Sequence, residues 1–384
     1  MTRVIVSARG ARRWRAGHPW IYRSDVISEA SASGPGVVRV EDEAGRQVGP
    51  ALYSPASEIR LRMLDRGEAT IDAQWWAGAI RTAAARRAGI GADAYRVVHA
   101  EADGLPSLIV DRYGPYLAVQ LLSAGLETRR AEIIDALVVE LSPAGIILRN
   151  DVPVRKREGL ERAIEVVHGD IPETTRIESE GVAMLVDLRG GQKTGSFLDQ
   201  RENRWLAGQV ARGRGLDLCC HDGGFALHMS GACDSVLAVD QSADALGRLR
   251  GNADLNDIES IETREGNVFD VLREIDEAKT PFDTIVLDPP AFAKNKRSLP
   301  RALRGYKELN LRAMRALAPG GHLLTFSCSY HVSRAALEDM LREAAGDSGR
   351  RLVVVASLAA SADHPAVLNV PETAYLKGLM LRAL

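Results

Sequence analysis

Four cysteines in 384 residues, Cys219, Cys220, Cys233 and Cys328, are too few for a disulfide framework and are not paired as in a zinc site, so free thiols are expected. No apolar run approaches the roughly 18 residues of a membrane helix, and no charged-then-apolar leader opens the chain, so the expected location is the cytoplasm, with no membrane partner. Lysine is scarce: seven of the 49 basic residues, the rest being arginine. Arginine suits phosphate contacts, yet a coding bias explains the excess more simply. A surplus of one charge is also missing. The net charge of −2 excludes a uniformly basic nucleic-acid binder, so any RNA contact must be local.

What is present divides the chain. A length of 384 residues exceeds one ordinary core, and two or three domains are expected. Residues 1–70 read as a small β domain, with strands over 36–40 and 60–64 and a hairpin turn at Asp42 to Arg46. Six arginines and a single acid, Asp25, fall in the first 25 residues beside Trp14, His18, Trp20 and Tyr22. Arginines interleaved with aromatics can grip a phosphate backbone and stack on bases; a solvated basic arm over a small aromatic core is the alternative. Residues 71–180 read as a central α+β domain: a helix over 71–88, strands at 95–99, 107–110 and 116–122, a helix over 128–141 and a strand at 145–148. Asp103 and Asp111 are taken as turn and strand-end residues, and His99 as a core or edge histidine.

From 181 to 384 strand and helix alternate. After a strand at 182–187, strands at 216–220, 235–239, 261–264, 283–287, 322–327 and 352–357 alternate with helices at 224–231, 242–255, 268–275, 302–317 and 333–345, and a strand at 375–382 completes the unit. That regularity implies α/β architecture with a doubly wound parallel sheet. The stretch GGQKTGSFLDQRENR, Gly190 to Arg204, superficially resembles a phosphate loop, but Gly-Lys-Ser/Thr is interrupted by Gln192, which excludes triphosphate binding of that type.

The stretch LDLCCHDGG, Leu216 to Gly224, is a buried strand entering a glycine turn and then a helix, the place where open α/β sheets hold a ligand's polar parts. Gly223-Gly224 runs into FALHM rather than the third glycine of a dinucleotide fold, so nicotinamide and flavin are disfavoured. Asp240 ends the next strand, where its carboxylate can accept both ribose hydroxyls, and Asn267 follows the third, placed for an adenine edge. The alternatives are a strand-end turn for Asp240 and a helix N-cap for Asn267. With Asp217, this set fits S-adenosylmethionine, which has ribose and adenine but no phosphate. The fourth strand ends LDPPAFAK and the fifth TFSCSYH, and strands joined by one right-handed crossover are usually neighbours, so Asp288 and Cys328 should meet above the carboxyl edge. Carbon 5 of a pyrimidine becomes nucleophilic once a thiolate adds at carbon 6. Cys328 is the expected nucleophile, and Asp288 the partner of the base's N3/N4 edge. Cys220 and Cys233 read as structural, and Cys219 as at most a lining of the cofactor pocket. Asp-Pro-Pro is also used by amino-group methyltransferases, but there an aromatic normally follows at once, whereas here Ala291 precedes Phe292.

GHPWIYRSDV (17–26), EADGLPSLIVDRYG (101–114), GQKTGSFLDQRENR (191–204), LDLCCHDGGFALH (216–228), LDPPAFAKNK (287–296), SCS (327–329), ADHPAV (362–367) and PETAYLKG (371–378) together resemble the bacterial 23S ribosomal RNA cytosine-C5 methyltransferases of the large-subunit methyltransferase I type. The resemblance implies a small β-barrel-like PUA domain, a central α+β domain and a class I methyltransferase domain binding S-adenosylmethionine. It implies Cys328 as nucleophile and the segment Gln192 to Arg201 as a lid at the methionine end. Cofactor contacts are then expected from Phe197, Gln200, Arg201, Asp217, Cys219, Gly223, Asp240, Asn267 and Asp288, and substrate contacts from Lys193, Pro289 and Phe292. His221 and Asp222 replace the Tyr-Thr usual before the two glycines, Asn267 stands where Asp is usual, and Trp75 to Gly78 replace a more basic helix start. The implied partner is 23S ribosomal RNA, naked or partly assembled, and a homodimer is compatible with the chain. Two other classes stay open: methylation of an exocyclic amine or protein side chain, and an RNA-binding assembly factor without turnover.

Overall fold

The structure, a computed structural model, describes residues 2–293 and 295–384; Lys294 of the LDPPAFAKNK stretch therefore lies outside the described residues. The chain forms two compact units. The first holds the chain up to Ile177 together with Val186–Leu198 and Asp363–Thr373; the second holds Glu178–Leu185, Asp199–Ala362 and Ala374–Leu384.

In the first unit, β1 (Arg3–Val6), β2 (Trp20–Ile21), β3 (Val26–Ser28), β4 (Gly36–Asp42), β5 (Gln47–Tyr53) and β6 (Leu61–Met63) make a six-stranded sheet in the order β2-β6-β5-β4-β1-β3. Its hairpin turn is organised by Asp42, whose Oδ1 accepts from the main-chain N–H of Ala44 and Arg46, both at 3.0 Å. The helix α1 (Ala8–Arg15) was not expected: its sequence ARGARRWR buries only Gly10 and Ala11, and it is defined by the Ser7 cap rather than by an apolar stripe. α2 (Ala73–Ala85) leads to a second sheet of β7 (Ala94–His99), β8 (Leu108–Tyr113), β9 (Tyr116–Leu121), β10 (Gly145–Arg149) and β11 (Ile164–Gly169), ordered β11-β10-β9-β8-β7. Between β9 and β10 lie α3 (Ala124–Glu127) and α4 (Arg130–Leu141), and α5 (Val154–Arg157) precedes β11. The edge strand β11 also went unread, because none of its residues is fully buried and the alternation is weak. Trp76, Ile80, Leu126, Ile133 and Leu137 pack on the sheet's Val98, Val110 and Val119. The ADHPAV segment returns to this unit: Arg87 donates to the Asp363 carbonyl at 2.9 Å and the Arg96 N–H to its carboxylate at 2.8 Å. His99 is buried there beside Arg96 and His364, and burial followed by these neighbours pushes it down to about 2.

The chain enters the second unit within a hairpin of β12 (Thr175–Ser179) and β13 (Val182–Val186), returns to the first over Val186–Leu198 and re-enters the second at Asp199. There follow α6 (Arg201–Val210), β14 (Gly213–Leu218), α7 (Gly224–Ser230), β15 (Cys233–Asp240), α8 (Ala243–Leu255), β16 (Ile261–Glu265), α9 (Val268–Ala278), β17 (Phe282–Leu287), α10 (Leu299–Ala316), β18 (Leu317–Ser327), α11 (Arg334–Ser348), β19 (Leu352–Ala359) and β20 (Lys377–Ala383). The sheet order is β16-β15-β14-β17-β18-β20-β19. It is parallel from β16 to β18, as the alternation implies, and antiparallel at β20 and β19. The uniformly parallel expectation fails at this end because no helix of crossover length joins β19 to β20, so the last strand returns in the opposite sense. Ile285 and Leu287 face the core of α9, α10 and α11, whereas Val286 faces that of α6, α7 and α8, which buries both faces.

Candidate active site

The carboxyl ends of β14, β15, β17 and β18 lie side by side in the parallel part of the sheet. Beyond β14 the backbone is left-handed at Cys219, His221 and Gly223, with φ of 63°, 50° and 86°. A Cβ on Gly223 would sit 2.4 Å from Leu249 Cγ, and one on Gly224 would sit 2.4 Å from Arg204 Nε, so both positions hold the turn close to its neighbours. Asp217 is buried beneath this turn. Its Oδ2 accepts from the Ala226 N–H at 2.9 Å, while Oδ1 has no partner among the described residues. Burial, reinforced by Asp288 and Asp240 and opposed by the Ala226 hydrogen bond and Arg204, raises its pKa to about 8. Burial likewise pushes the Cys219 and Cys220 thiols far up, so neither is a nucleophile at neutral pH.

At the end of β15, Asp240 accepts from the His221 N–H through Oδ2 and from the Ser242 N–H through Oδ1, both at 2.9 Å. His221 thus has a local role the sequence did not disclose: its main chain aims the Asp240 carboxylate. Its ring Nδ1 lies 3.3 Å from Asp222 Oδ1; burial alone would raise the Asp222 carboxyl, but His221 with Arg204 and Arg248 holds it below its ordinary value. Asn267 is the N-cap of α9, its side-chain oxygen accepting from the Phe269 N–H at 2.9 Å. An unpartnered buried carboxylate oxygen, a turn that a Cβ would fill, and a second carboxylate at the next strand end form a seat that fits a compact adenosine-bearing methyl donor.

The two chemical loops meet beside it. The Cys328 thiol faces the Pro289 carbonyl at 4.0 Å, and the thiol is half-buried. Tyr306 of α10 ties the same loops together, donating to the Pro290 carbonyl at 3.3 Å and sharing a 2.9 Å hydrogen bond with Ser329 Oγ. Ser329 Oγ also accepts from the Ala293 N–H at 3.2 Å. Phe292 turns inward, its ring centroid 4.7 Å from that of Tyr306. Asp288 Oδ2 accepts from Gln200 Nε2 at 2.9 Å. Asn203 fixes that amide: its Nδ2 donates to the Ala359 carbonyl at 2.8 Å, which requires the NH2 group there, and to Gln200 Oε1 at 2.6 Å. Gln200 must then present its own NH2 to Asp288. Arg201 points instead to carboxylates, with Nη2 3.1 Å from Glu202 and Nη1 3.9 Å from Glu180. Lys193 and Phe197 belong to the first unit, where the lysine Nζ lies 4.6 Å from the phenylalanine ring centroid. Sequence reasoning missed Asn203, Arg204 and Tyr306. Asn203 alone left a signal, three residues after Gln200 and on the same helical face.

Comparison with known proteins gives the following. Residues 4–66 match a PUA-like domain model, and residues 142–382 match the model of S-adenosylmethionine-dependent methyltransferases. The chain is 40% identical over 379 residues to the ribosomal RNA large subunit methyltransferase I of Klebsiella pneumoniae (strain 342), covering 96% of this chain and 94% of that protein. Identity to the protein of the same name from Tolumonas auensis is 39%, with 96% of each covered. In fold it is similar to a candidate SAM-dependent methyltransferase from Streptococcus mutans, with TM-score 0.84, 17% identity and all of both chains covered. A candidate methyltransferase solved with SAH gives TM-score 0.85 at 18% identity, again over all of both chains.

Proposed function

Because this chain belongs to the ribosomal RNA large subunit methyltransferase I family of S-adenosylmethionine-dependent methyltransferases, we propose that it forms 5-methylcytosine in 23S ribosomal RNA through a covalent adduct on Cys328. The observation that carries this reading is the meeting of Cys328 with the Asp288-Pro289 loop at the carboxyl edge, next to the glycine turn. S-adenosylmethionine supplies an electrophilic methyl group on a sulfonium. The Cys328 thiolate adds to carbon 6 of the ring, and the π pair moves to carbon 5 and the N3 edge, where Asp288, oriented by Gln200, hydrogen-bonds the base. Carbon 5 takes the methyl group; a base then removes the carbon 5 proton, the double bond re-forms and the thiolate leaves. Asp240 and Asn267 are assigned to the adenosine, with Asp217, Cys219 and Gly223 lining its seat. Phe197, Gln200 and Arg201 are assigned to the methionine end, and Lys193, Pro289 and Phe292 to the substrate. The division 1–70, 71–180 and 181–384 is kept as three functional parts: RNA-binding domain, spacer and methyltransferase. Methylation of an exocyclic amine is less well supported, because Ala291 and not an aromatic directly follows Asp288-Pro289-Pro290.

Mass spectrometry of 23S rRNA nuclease fragments tests the reading. Cells without this protein should lose one 5-methylcytosine, the unmutated gene should restore it, and Cys328→Ala should not. Restoration by Cys328→Ala, or an unchanged profile in the deletion, would overturn it.

A further inference from the structure

One buried cation at this edge has no part in the reaction above. Lys377 opens β20 and pairs with Ser327, the last residue of β18, in antiparallel register. Its Nζ donates to the main-chain carbonyl of Ser329 at 2.9 Å. The side chain therefore reaches from opposite residue 327 to residue 329, and Cys328 lies between those two attachments. Lys377 is 6% exposed, and no carboxylate pairs with it among the described residues. An ammonium taken out of water without a counter-charge is costly. Burial accordingly pushes Lys377 down to about 8, Cys328 opposes that shift, and Arg334 of α11 adds to it. Arg334 is itself held on main-chain carbonyls, those of Gly378 at 3.4 Å and Leu358 at 2.8 Å. Titratable groups around this turn include Tyr306 of α10, which interacts with Cys328, Asp288 after β17, Tyr375 before β20, and Tyr330 and His331 following Cys328 in the chain, with Asp217, Cys219 and Asp240 at the neighbouring strand ends.

We propose that Lys377 is a positioning residue for Cys328, its ammonium serving as the counter-charge that holds the sulfur as a thiolate at neutral pH. The inference rests on the reading of Cys328 as nucleophile. Ionisation sends the thiol proton to solvent; Lys377 keeps its three protons and changes no covalent bond. A purely structural lysine would staple the Ser-Cys-Ser turn to β20 through its hydrogen bond alone. The two roles separate in variants that keep a donor but differ in charge.

The test is the pH dependence of Cys328 alkylation by iodoacetamide in the full chain, read by mass spectrometry of the peptide containing residue 328. In the unmutated protein the rate midpoint should lie below the ordinary thiol value of about 8.5. Lys377→Gln should raise it by a unit or more, slowing alkylation at pH 7 roughly tenfold, and Lys377→Arg should keep it low. A midpoint at or above 8.5 in the unmutated protein overturns the proposal without any variant, as does an equal midpoint in Lys377→Gln. Alkylation reports thiol ionisation whether or not methyl transfer uses it. Failure of the Cys328 mechanism would instead appear as methylation surviving in Cys328→Ala with the alkylation shift intact.

Discussion

Asp217 shows what a single buried carboxyl does beneath the glycine turn. Its carboxyl is raised from 3.8 to about 8, chiefly by burial, so between those values the folded chain binds a proton that the unfolded chain has released. The stability linked to this group is complete below about pH 4 and is lost as the pH rises through about 8. Asp217→Asn removes the titration and keeps an oxygen for the Ala226 N–H. Urea unfolding of the cofactor-free protein from pH 5 to 8.5 should therefore show a decline in the unmutated chain that is smaller in the variant; parallel curves would refute the assignment. The positions of Asp240, Asp288 and Cys328 at the carboxyl ends of strands, and of Asp217 one residue before the end of β14, could be read from the sequence, because apolar runs announce those strands and α/β sheets present such ends to ligands. Those of Tyr306 and Lys377 could not, and Asn203 left only its spacing from Gln200. Their partners are the Pro290, Ser329 and Ala359 carbonyls, which only the tertiary fold brings near. Asn267 is instructive in another way: the amide oxygen proposed to meet adenine caps α9, the alternative role that the sequence also allowed.

The strand, turn and helix from β14 through α7 act as one device, and its tolerance can be measured at Gly223. A left-handed residue other than glycine costs about 1–2 kcal/mol, and here an added Cβ would also sit 2.4 Å from Leu249 Cγ. Gly223→Ala should displace the turn and weaken S-adenosylmethionine binding at least tenfold by calorimetry, about 1.4 kcal/mol. Gly231→Ala, at the far end of α7 with nothing within 4 Å of the added Cβ, should bind as the unmutated protein does. Equal affinities in the two variants would show that the turn is not the seat. The same elements explain which parts of the fold could be read beforehand. Strands buried over most of their length, such as β14 and β17, stand out as apolar runs, and α9 and α10 as helical stripes. α1 and β11 are short and largely exposed, so periodicity carries little information there. The antiparallel entry of β20 depends on a connection, 360–376, that carries no α-helix, and its pairing is settled by the edge of β18 and not by its own residues.

For the molecule as a whole the question is where a chain of net charge −2 can hold RNA. The arginine-rich N-terminal segment is less positive than its composition suggests, because Arg3, Arg9, Arg15, Arg23 and Arg46 are paired with Glu41, Asp25, Asp42, Glu58 and Asp42. Arg12 and Arg13 of α1 have no carboxylate partner among the described residues; Arg12 is exposed, and the Arg13 guanidinium lies 4.7 Å from the Tyr22 ring centroid. An arginine already neutralised by a carboxylate displaces few counterions from RNA, whereas an unpaired one displaces nearly a full charge. The slope of log affinity against log salt should thus fall by about 1.5 in Arg12→Ala/Arg13→Ala, at about 0.7–0.9 per lost phosphate contact. Arg9→Ala/Arg15→Ala, which removes the same formal charge, should change it by less than half as much. Filter binding of a 23S rRNA fragment between 50 and 300 mM salt, on the order of the range where counterion release dominates, distinguishes the pairs. An equal loss of slope in both would mean that total charge, not the unpaired face of α1, governs RNA capture; no loss in either would move the RNA contact away from this helix altogether.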